Sequence, residues 1–151
     1  MSNYYKTLKV LLADDDENDR QDFKEALEDS KMETSLFSVN DGVELMDYLL
    51  HEENELPTLL FLDLNMPRKS GMECLNEIKN IPRLKDIVIA IYSTSSSEKD
   101  IEQTFYCGAN VYMKKPNDFG KLKELLNKIV TSVNVYSDPP FNIANFLLKI
   151  M

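Results

Sequence analysis

The sequence predicts an α/β fold, in which a doubly wound, five-stranded parallel sheet carries helices on both faces to give three α/β/α layers. Three observations predict this fold. Apolar runs alternate five times along the chain with segments whose apolar residues recur every three to four positions. Two of the runs are continuously apolar, which is typical of strands covered on both faces. The connections are short, and parallel neighbours require crossover helices between them.

Five apolar runs predict the strands. The first is LKVLLA at residues 8–13, and the second is a short alternating run at residues 35–39. Residues 58–62 and 87–92 are the continuously apolar runs, and residues 109–113 provide the fifth strand. Because a helical pattern follows each run, the strands are predicted to lie parallel in one sheet.

Five helical segments follow the strands, beginning with residues 17–29, and each carries an apolar stripe. The stripes are Phe23, Ala26 and Leu27; Val43, Met46 and Leu50; Met72, Leu75 and Ile78; Ile101 and Phe105; and Phe119, Leu122, Leu126, Ile129 and Val130. Asp16 is a predicted N-cap of the first helix. Ser95 and Glu98 match a capping box ahead of the fourth helix.

Composition narrows the class of protein. A chain of 151 residues is most simply one domain, and no apolar run approaches the roughly 20 residues that span a bilayer. The N-terminus lacks the layout of a signal peptide, so a cytoplasmic protein is expected. The net charge of -9 argues against direct binding of nucleic acid. The only histidine, His51, excludes a multi-histidine zinc site, and Cys74 and Cys107 have no metal-ligand spacing.

Polar residues gather at the C-terminal ends of the predicted strands, where open α/β sheets bind ligands. The first strand ends in Asp14-Asp15-Asp16, the third in Asp63, the fourth in Ser93 and the fifth in Lys115. Two carboxylates about 4 Å apart repel by about 4 kcal/mol at an effective dielectric constant near 20, so clustered acids favour a cation or a proton. Magnesium fits, because it takes oxygen ligands and leaves room for a phosphate oxygen.

The ordered set of strand-end residues resembles the receiver domain of two-component response regulators. The set is Asp14-Asp15, Asp63-Leu64-Asn65-Met66-Pro67, Gly71, Ser93, Tyr112 and Lys115-Pro116. Ser93 lies 30 residues after Asp63, and Lys115 lies 52 after it, which agrees with the family. The resemblance covers about residues 6–131 and implies a flavodoxin-like fold, similar to that of chemotaxis regulators. It is nearest to stand-alone receivers that pair with phytochrome-like sensor kinases.

The resemblance implies a phosphoacceptor and a metal site. Asp63 is the expected phosphoacceptor, whose carboxylate takes a phosphoryl group from a sensor histidine kinase or a histidine phosphotransfer protein. Asp14, Asp15, Asp63 and the backbone carbonyl of Asn65 are the expected ligands of Mg²⁺. Such a protein is a signalling protein and catalyses only its own phosphotransfer and slow dephosphorylation.

The resemblance also implies a switch. Lys115 is expected to bind the phosphoryl oxygens, and its peptide bond to Pro116 is expected to be cis. Ser93 would move its hydroxyl towards the phosphoryl group, and Tyr112 would change rotamer in response. Serine stands at position 93 where the family more often has threonine, which keeps the hydroxyl and removes a methyl group.

The chain leaves the family pattern after about residue 131. Ser137-Asp138-Pro139-Pro140 interrupts any helix, and the final segment FNIANFLLKIM is apolar at eight of its 11 positions. Because such a surface is unfavourable in water, residues 132–151 are predicted to pack on the domain, on a second subunit or on a kinase. No output domain is visible, so the signal is expected to pass to a downstream protein by contact. Whether the protein forms a homodimer is left open.

Two other functions stay open at this point. One is a magnesium-dependent phosphohydrolase that uses a strand-end aspartate as nucleophile. Enzymes of the haloacid-dehalogenase type need a second acid two residues after the nucleophile, and that position holds Asn65 here. The other is an interaction module that works without phosphorylation and binds no magnesium.

Overall fold

A parallel β-sheet forms the middle layer of the computed structural model, which describes residues 7–136, 140 and 142–148. The strands are β1 Leu8–Ala13, β2 Thr34–Val39, β3 Leu59–Leu62, β4 Val88–Ser93, β5 Val111–Lys114 and β6 Leu147–Leu148. The helices are α1 Glu17–Glu28, α2 Gly42–Leu50, α3 Gly71–Asn80, α4 Glu98–Tyr106, α5 Phe119–Thr131, α6 Val133–Tyr136 and α7 Ile143–Phe146. None of the helices within this described part is long and apolar enough to cross a membrane.

The sheet has the order β2-β1-β3-β4-β5-β6, and every neighbouring pair is parallel. The predicted fold class is confirmed, since the first five strands make the expected doubly wound sheet. From β1 the chain moves to one edge at β2, returns to β3 and then proceeds to the other edge. The winding direction therefore reverses between β1 and β3, and the crevice beyond their C-terminal ends is the expected binding position.

Apolar side chains fill both faces of the sheet. On one face, β1 and β3 contribute Leu11 and Leu60 to a core shared with α2 and α3. On the other face, Phe61 of β3 packs with α1 and α5. There Phe23 of α1 meets the rings of Phe61 and Tyr92 edge-on, with centroids 4.9 and 5.5 Å away. Burial on both sides explains why the third and fourth strands are continuously apolar in sequence.

The sequence located the start of α1 correctly but misplaced the cap of α4. The Asp16 carboxylate accepts a hydrogen bond from the Asp19 N–H, as expected for an N-cap. The predicted capping box of Ser95 and Glu98 is wrong, because α4 is capped by Ser97, whose hydroxyl accepts from the N–H three residues later. Ser95 is held in the turn after β4, where its carbonyl accepts a hydrogen bond from a tyrosine hydroxyl.

The C-terminal segment adds a sixth strand that the sequence did not predict. Residues 142–148 form α7 and then β6, which lies parallel to β5 at the edge of the sheet. The Phe146 side chain is completely buried. Within the predicted extension of residues 132–151, residues 137–139, 141 and 149–151 lie outside the described part of the chain.

A close backbone contact at Gly71 positions the end of β3. Gly71 is the first residue of α3, and its N–H donates to the carbonyl of Leu64 at 3.0 Å. A Cβ at this position would overlap the carbonyl oxygen of Asp63 and would lie 2.9 Å from its carbonyl carbon. Because both neighbours are backbone atoms, they cannot move aside without shifting the chain on which Asp63 stands.

We expect Gly71→Ala to lower the free energy of unfolding by about 1–3 kcal/mol, as overpacking does in other protein interiors. Urea denaturation followed by circular dichroism measures the change. Gly120→Ala is the matched control, because the added Cβ would meet only the flexible Asp118 side chain, 3.2 Å away in the first turn of α5. A Gly71→Ala variant as stable as the wild type would contradict the packing argument.

Candidate functional site

Backbone hydrogen bonds between strand ends position the candidate site. The Asp63 N–H, just beyond β3, donates to the carbonyl of Ala13 on β1 at 3.0 Å. The Lys115 N–H, just beyond β5, donates to the carbonyl of Ser93 on β4 at 2.7 Å. Asp14 follows β1 directly and is completely buried. The ladder therefore continues one residue past the strands and brings their polar ends to one edge.

Three of the predicted residues meet as an acidic cluster. One carboxylate oxygen from each of Asp14, Asp15 and Asp63 lies within 4.8 Å of the others. Asp63 is buried like Asp14, whereas Asp15 is exposed. Oδ2 of Asp14 is buried, and the ammonium group of Lys115 lies 2.8 Å from it. Clustered carboxylate oxygens are the ligands that a hard divalent cation such as Mg²⁺ prefers.

Lys115 lies in the middle of the carboxylates. Its Nζ is 2.8 Å from Oδ2 of Asp14, 2.8 Å from Oδ2 of Asp19 and 3.3 Å from Oδ2 of Asp63. The same Nζ lies 5.2 Å from the centroid of the Tyr92 ring, within the range of a cation–π interaction. Little of the lysine side chain is exposed, so this ion-pair network is shielded from solvent.

Two residues of this network were missed by the sequence reasoning. Asp19 lies in the first turn of α1, directly after the acidic end of β1, and this position in the chain could have indicated it. Tyr92 precedes Ser93 on β4 and looks in sequence like any other apolar strand residue. Only the packing of the sheet against α1 shows that its ring lies under the ammonium group.

Burial and the ion pairs act in opposite directions on the pKa values. Burial raises the pKa of Asp14 to about 6, against the opposing influence of Lys115. Burial also raises the pKa of Asp63 above its usual range, again opposed by Lys115. Burial alone would lower the pKa of Lys115, but its interactions with Asp14, Asp19 and Asp63 raise it above the usual value. The lysine therefore stays charged, while protons are held more tightly than usual by the two buried acids.

Ser93 and Tyr112 lie next to this cluster and are connected through one turn. Ser93 ends β4 and is completely buried, and its hydroxyl accepts a hydrogen bond from the Ser95 N–H at 3.1 Å. The Tyr112 hydroxyl donates to the Ser95 carbonyl at 2.9 Å, and the whole side chain is buried. Burial raises the pKa of Tyr112, and hydrogen bonds with Ser95 and Ser93 oppose the rise. The structure thus brings both predicted switch residues to one turn.

Asn65 and Pro116 are two further residues of the predicted site. The Asn65 N–H donates to Oδ1 of Asp63 at 3.1 Å, so Asn65 lies beside the predicted phosphoacceptor. The expected cis bond is wrong: no peptide bond between described residues is cis, and the bond between Lys115 and Pro116 is trans. The trans form is the more stable one for most bonds that precede proline.

Comparison with known proteins identifies the family. Residues 10–127 match the family model described as "Response regulator receiver domain". The chain is 32% identical over 124 residues to the response regulator Rcp1 of Synechocystis sp., covering 80% of this chain and 84% of Rcp1. The fold and these matches define a receiver domain of response regulators, whose homologues are signalling proteins rather than classical enzymes. The chain belongs to the response regulator receiver family.

Two solved structures show the same fold. The Mn(2+)-bound form of Rcp1 is 31% identical, with a TM-score of 0.76 over 82% of this chain and 92% of that one. The phosphorylated cyanobacterial phytochrome response regulator RcpA is 34% identical, with a TM-score of 0.77 over 82% and 91% of the two chains. The resemblance to receivers, including phytochrome-associated ones, is confirmed.

The raised pKa of Asp14 predicts a pH dependence of stability. The folded state binds protons at Asp14 up to about pH 6, whereas the ordinary pKa is 3.8. The folded state therefore holds more protons between these values, and the free energy of unfolding falls as the pH rises through them. In metal-free buffer we expect Asp14→Asn to reduce this dependence, leaving the part due to Asp63, and to stabilise the protein at pH 7 by roughly 1–3 kcal/mol.

Urea denaturation in metal-free buffer between about pH 4 and pH 7.5 measures this effect. Asp47→Asn, on the exposed side of α2, is the control and should follow the wild-type profile. An Asp14→Asn variant that is less stable than the wild type at pH 7 would show that its pairing with Lys115 outweighs its burial.

Proposed function

We propose that this chain accepts a phosphoryl group on Asp63 from a phosphohistidine of a sensor histidine kinase or a histidine phosphotransfer protein. One observation carries the proposal: the buried Asp63 carboxylate lies beside two other carboxylates and 3.3 Å from the ammonium of Lys115, at the switch point of the sheet. Membership of the receiver family and the phosphorylated state of the relative RcpA support it.

Asp63 acts as the nucleophile in this reaction. An oxygen of its ionised carboxylate forms a bond to phosphorus, the phosphorus–nitrogen bond to the donor imidazole breaks, and the electron pair stays on that nitrogen. The Asn65 N–H holds Oδ1 of Asp63 and so fixes the carboxylate plane. Lys115 places a permanent positive charge where the phosphoryl oxygens arrive, which stabilises the charge that is transferred.

Asp14, Asp15, Asp63 and the backbone carbonyl of Asn65 are the proposed ligands of Mg²⁺. Bound there, Mg²⁺ would neutralise negative charge on the phosphoryl oxygens. The burial of Asp14 and the mutual approach of the three carboxylates support the assignment. The Mn(2+)-bound form of Rcp1 supports a divalent cation in a relative.

The output of the proposed reaction is a change of surface that a downstream protein recognises. Ser93 and Tyr112 are the proposed two-state element, supported by their shared hydrogen bonds to Ser95. The proposed receiver unit spans residues 6–131, and residues 132–151 form an extension. We place the protein in the cytoplasm, and a homodimer is compatible with the proposal. The net charge of -9 favours a protein target over nucleic acid.

Family membership favours this signalling function over a phosphohydrolase. The position two residues after the nucleophile is Asn65, whose amide cannot carry out general acid–base work at neutral pH. Asn65 therefore suits a stable aspartyl phosphate better than rapid turnover.

Asp63→Asn tests the phosphoacceptor. Incubated with radiolabelled acetyl phosphate and Mg²⁺, the wild type should incorporate label that hydroxylamine removes, and Asp63→Asn should fall to background because an amide is not a nucleophile at phosphorus. Asp47→Asn should label like the wild type, since Asp47 lies on the exposed side of α2. Equal labelling of Asp63→Asn and the wild type would contradict the assignment of Asp63 as the phosphoacceptor.

Asp15→Asn tests the metal site separately. Asp15 is the exposed member of the cluster, so its replacement disturbs the core least. We expect its affinity for Mg²⁺, measured by calorimetric titration, to fall at least about 10-fold, because a ligand contributes at least as much as an outer partner of a ligand. Asp16→Asn, which keeps an N-cap side chain on α1, is the control. Unchanged affinity in Asp15→Asn would contradict the assigned ligand set.

A further inference from the structure

The C-terminal segment, residues 142–148, packs directly on a proposed switch residue. Phe146 is completely buried, and its ring meets Phe105 of α4 and Tyr112 of β5 edge-on, with centroids 5.5 and 5.9 Å away. Edge-to-face aromatic contacts of this kind are favourable beyond the area they bury. The segment therefore packs on both α4 and β5.

The backbone of the segment pairs at the same position. β6 runs parallel to β5 with Leu147 opposite Tyr112 and Leu148 opposite Met113. The short helix before it is capped by Asn142, whose side chain accepts from the Asn145 N–H. The segment therefore contacts Tyr112 in two ways: Phe146 packs on the tyrosine ring, and β6 pairs with the tyrosine backbone.

In this arrangement Tyr112 points inward. Its side chain has no exposed surface, and its hydroxyl donates to the Ser95 carbonyl in the turn that also holds Ser93. Turning the ring out to solvent would break that hydrogen bond and the contact with Phe146. The docked segment and the inward rotamer therefore stabilise each other.

We propose that residues 142–148 are an intramolecular effector of the receiver, which docks on the edge formed by α4 and β5 when Tyr112 is inward. The inference rests on the proposed phosphorylation of Asp63, because phosphorylation is what would draw Ser93 and Tyr112 towards the inward state. Binding linkage then makes the coupling reciprocal: the phosphoryl group strengthens docking by the same factor by which docking strengthens retention of the phosphoryl group.

The short connection between α6 and residue 142 favours docking of the segment on its own chain. Only five residues, 137–141, separate Tyr136 at the end of α6 from Asn142. Six Cα–Cα steps join Tyr136 to Asn142, so a fully extended connection reaches at most about 22 Å, which holds the segment close to the domain it leaves. So short a tether also gives the segment a high effective concentration at this edge, which favours docking within one molecule over docking on a second copy.

Hydrogen exchange measured by mass spectrometry tests docking directly in the full-length protein. The probe is beryllium fluoride with Mg²⁺, which substitutes for a phosphoryl group on an aspartate. In the wild type we expect exchange of peptides that contain residues 142–148 to slow by about 5-fold or more on addition of the probe. Phe146→Ala should abolish that slowing, and Asn145→Ala, at an exposed position of α7, should preserve it.

Reciprocity gives a second and independent readout. The beryllium fluoride concentration, at fixed Mg²⁺, that gives half-maximal exchange protection of the peptides around Asp63 should rise in Phe146→Ala by the same factor by which the protection of docking falls. Asn145→Ala should leave it unchanged. Phe146→Leu keeps an apolar side chain in the core and should give an intermediate value, so it replaces Phe146→Ala if that variant does not fold. Equal half-maximal concentrations in the wild type and the folded Phe146 variants would overturn the coupling.

The outcomes separate this inference from the function on which it rests. If the probe protects no peptide, including those around Asp63 and Ser93, the proposed phosphoacceptor function fails and the inference fails with it. If the probe protects the peptides around Asp63 and Ser93 but leaves residues 142–148 unchanged, the function stands and the effector is overturned. Protection of residues 142–148 that increases with protein concentration would mean docking on a second copy, which also overturns the intramolecular proposal.

Discussion

The ion pairing of Lys115 with the surrounding carboxylates is the interaction on which the edge of the sheet depends. Asp14 and Asp63 are buried within one cluster, and each would repel the other by several kcal/mol at close range in a protein interior. The ammonium group lies within 3.3 Å of both, and Asp19 adds a third partner from α1. One buried cation thus offsets the repulsion of several anions. Burial raises the pKa of Asp14 to about 6 even with Lys115 beside it, so the ionised cluster has a residual demand for positive charge.

The rest of the fold keeps the carboxylates clustered and so maintains this demand for positive charge. β3 is completely buried and fixed between β1 and β4, so Asp63 cannot relax away from its neighbours. On the far side, the missing Cβ of Gly71 lets α3 begin against the backbone of Asp63. The apolar packing therefore keeps charges together that would separate in a looser structure. Such stored electrostatic free energy is what a functional site commonly holds at the expense of stability.

The sequence predicted most of the fold and the grouping of the charged residues at the candidate site, and the reasons are physical. The continuous apolar runs of β3 and β4 identify buried parallel strands, and the topology of such sheets brings their C-terminal ends together, so Asp14, Asp63 and Lys115 could be grouped without a structure. What escaped prediction depends on contacts between segments that are remote in sequence. The cation–π contact of Tyr92 and the pairing of β6 with β5 have no local pattern, and the cap of α4 moved to Ser97 because a tertiary hydrogen bond holds Ser95.

The C-terminal segment packs beside the same strands whose ends carry the charged cluster. A change of charge at Asp63 alters the balance around Lys115 at one end of β4 and β5, whereas Phe146 packs on Tyr112 beside the same strands. Close-packed interiors do not deform continuously, so in the proposed switch a shift of Ser93 would be transmitted as a choice between discrete arrangements of the turn at Ser95. Tyr112 takes part in both, since its hydroxyl bonds to that turn and its ring bears the aromatic contact. Tyr112 would therefore couple the turn at Ser95 to the C-terminal segment. Whatever stabilises the inward rotamer through the turn would also stabilise packing of Phe146 on the ring, and the reverse holds equally.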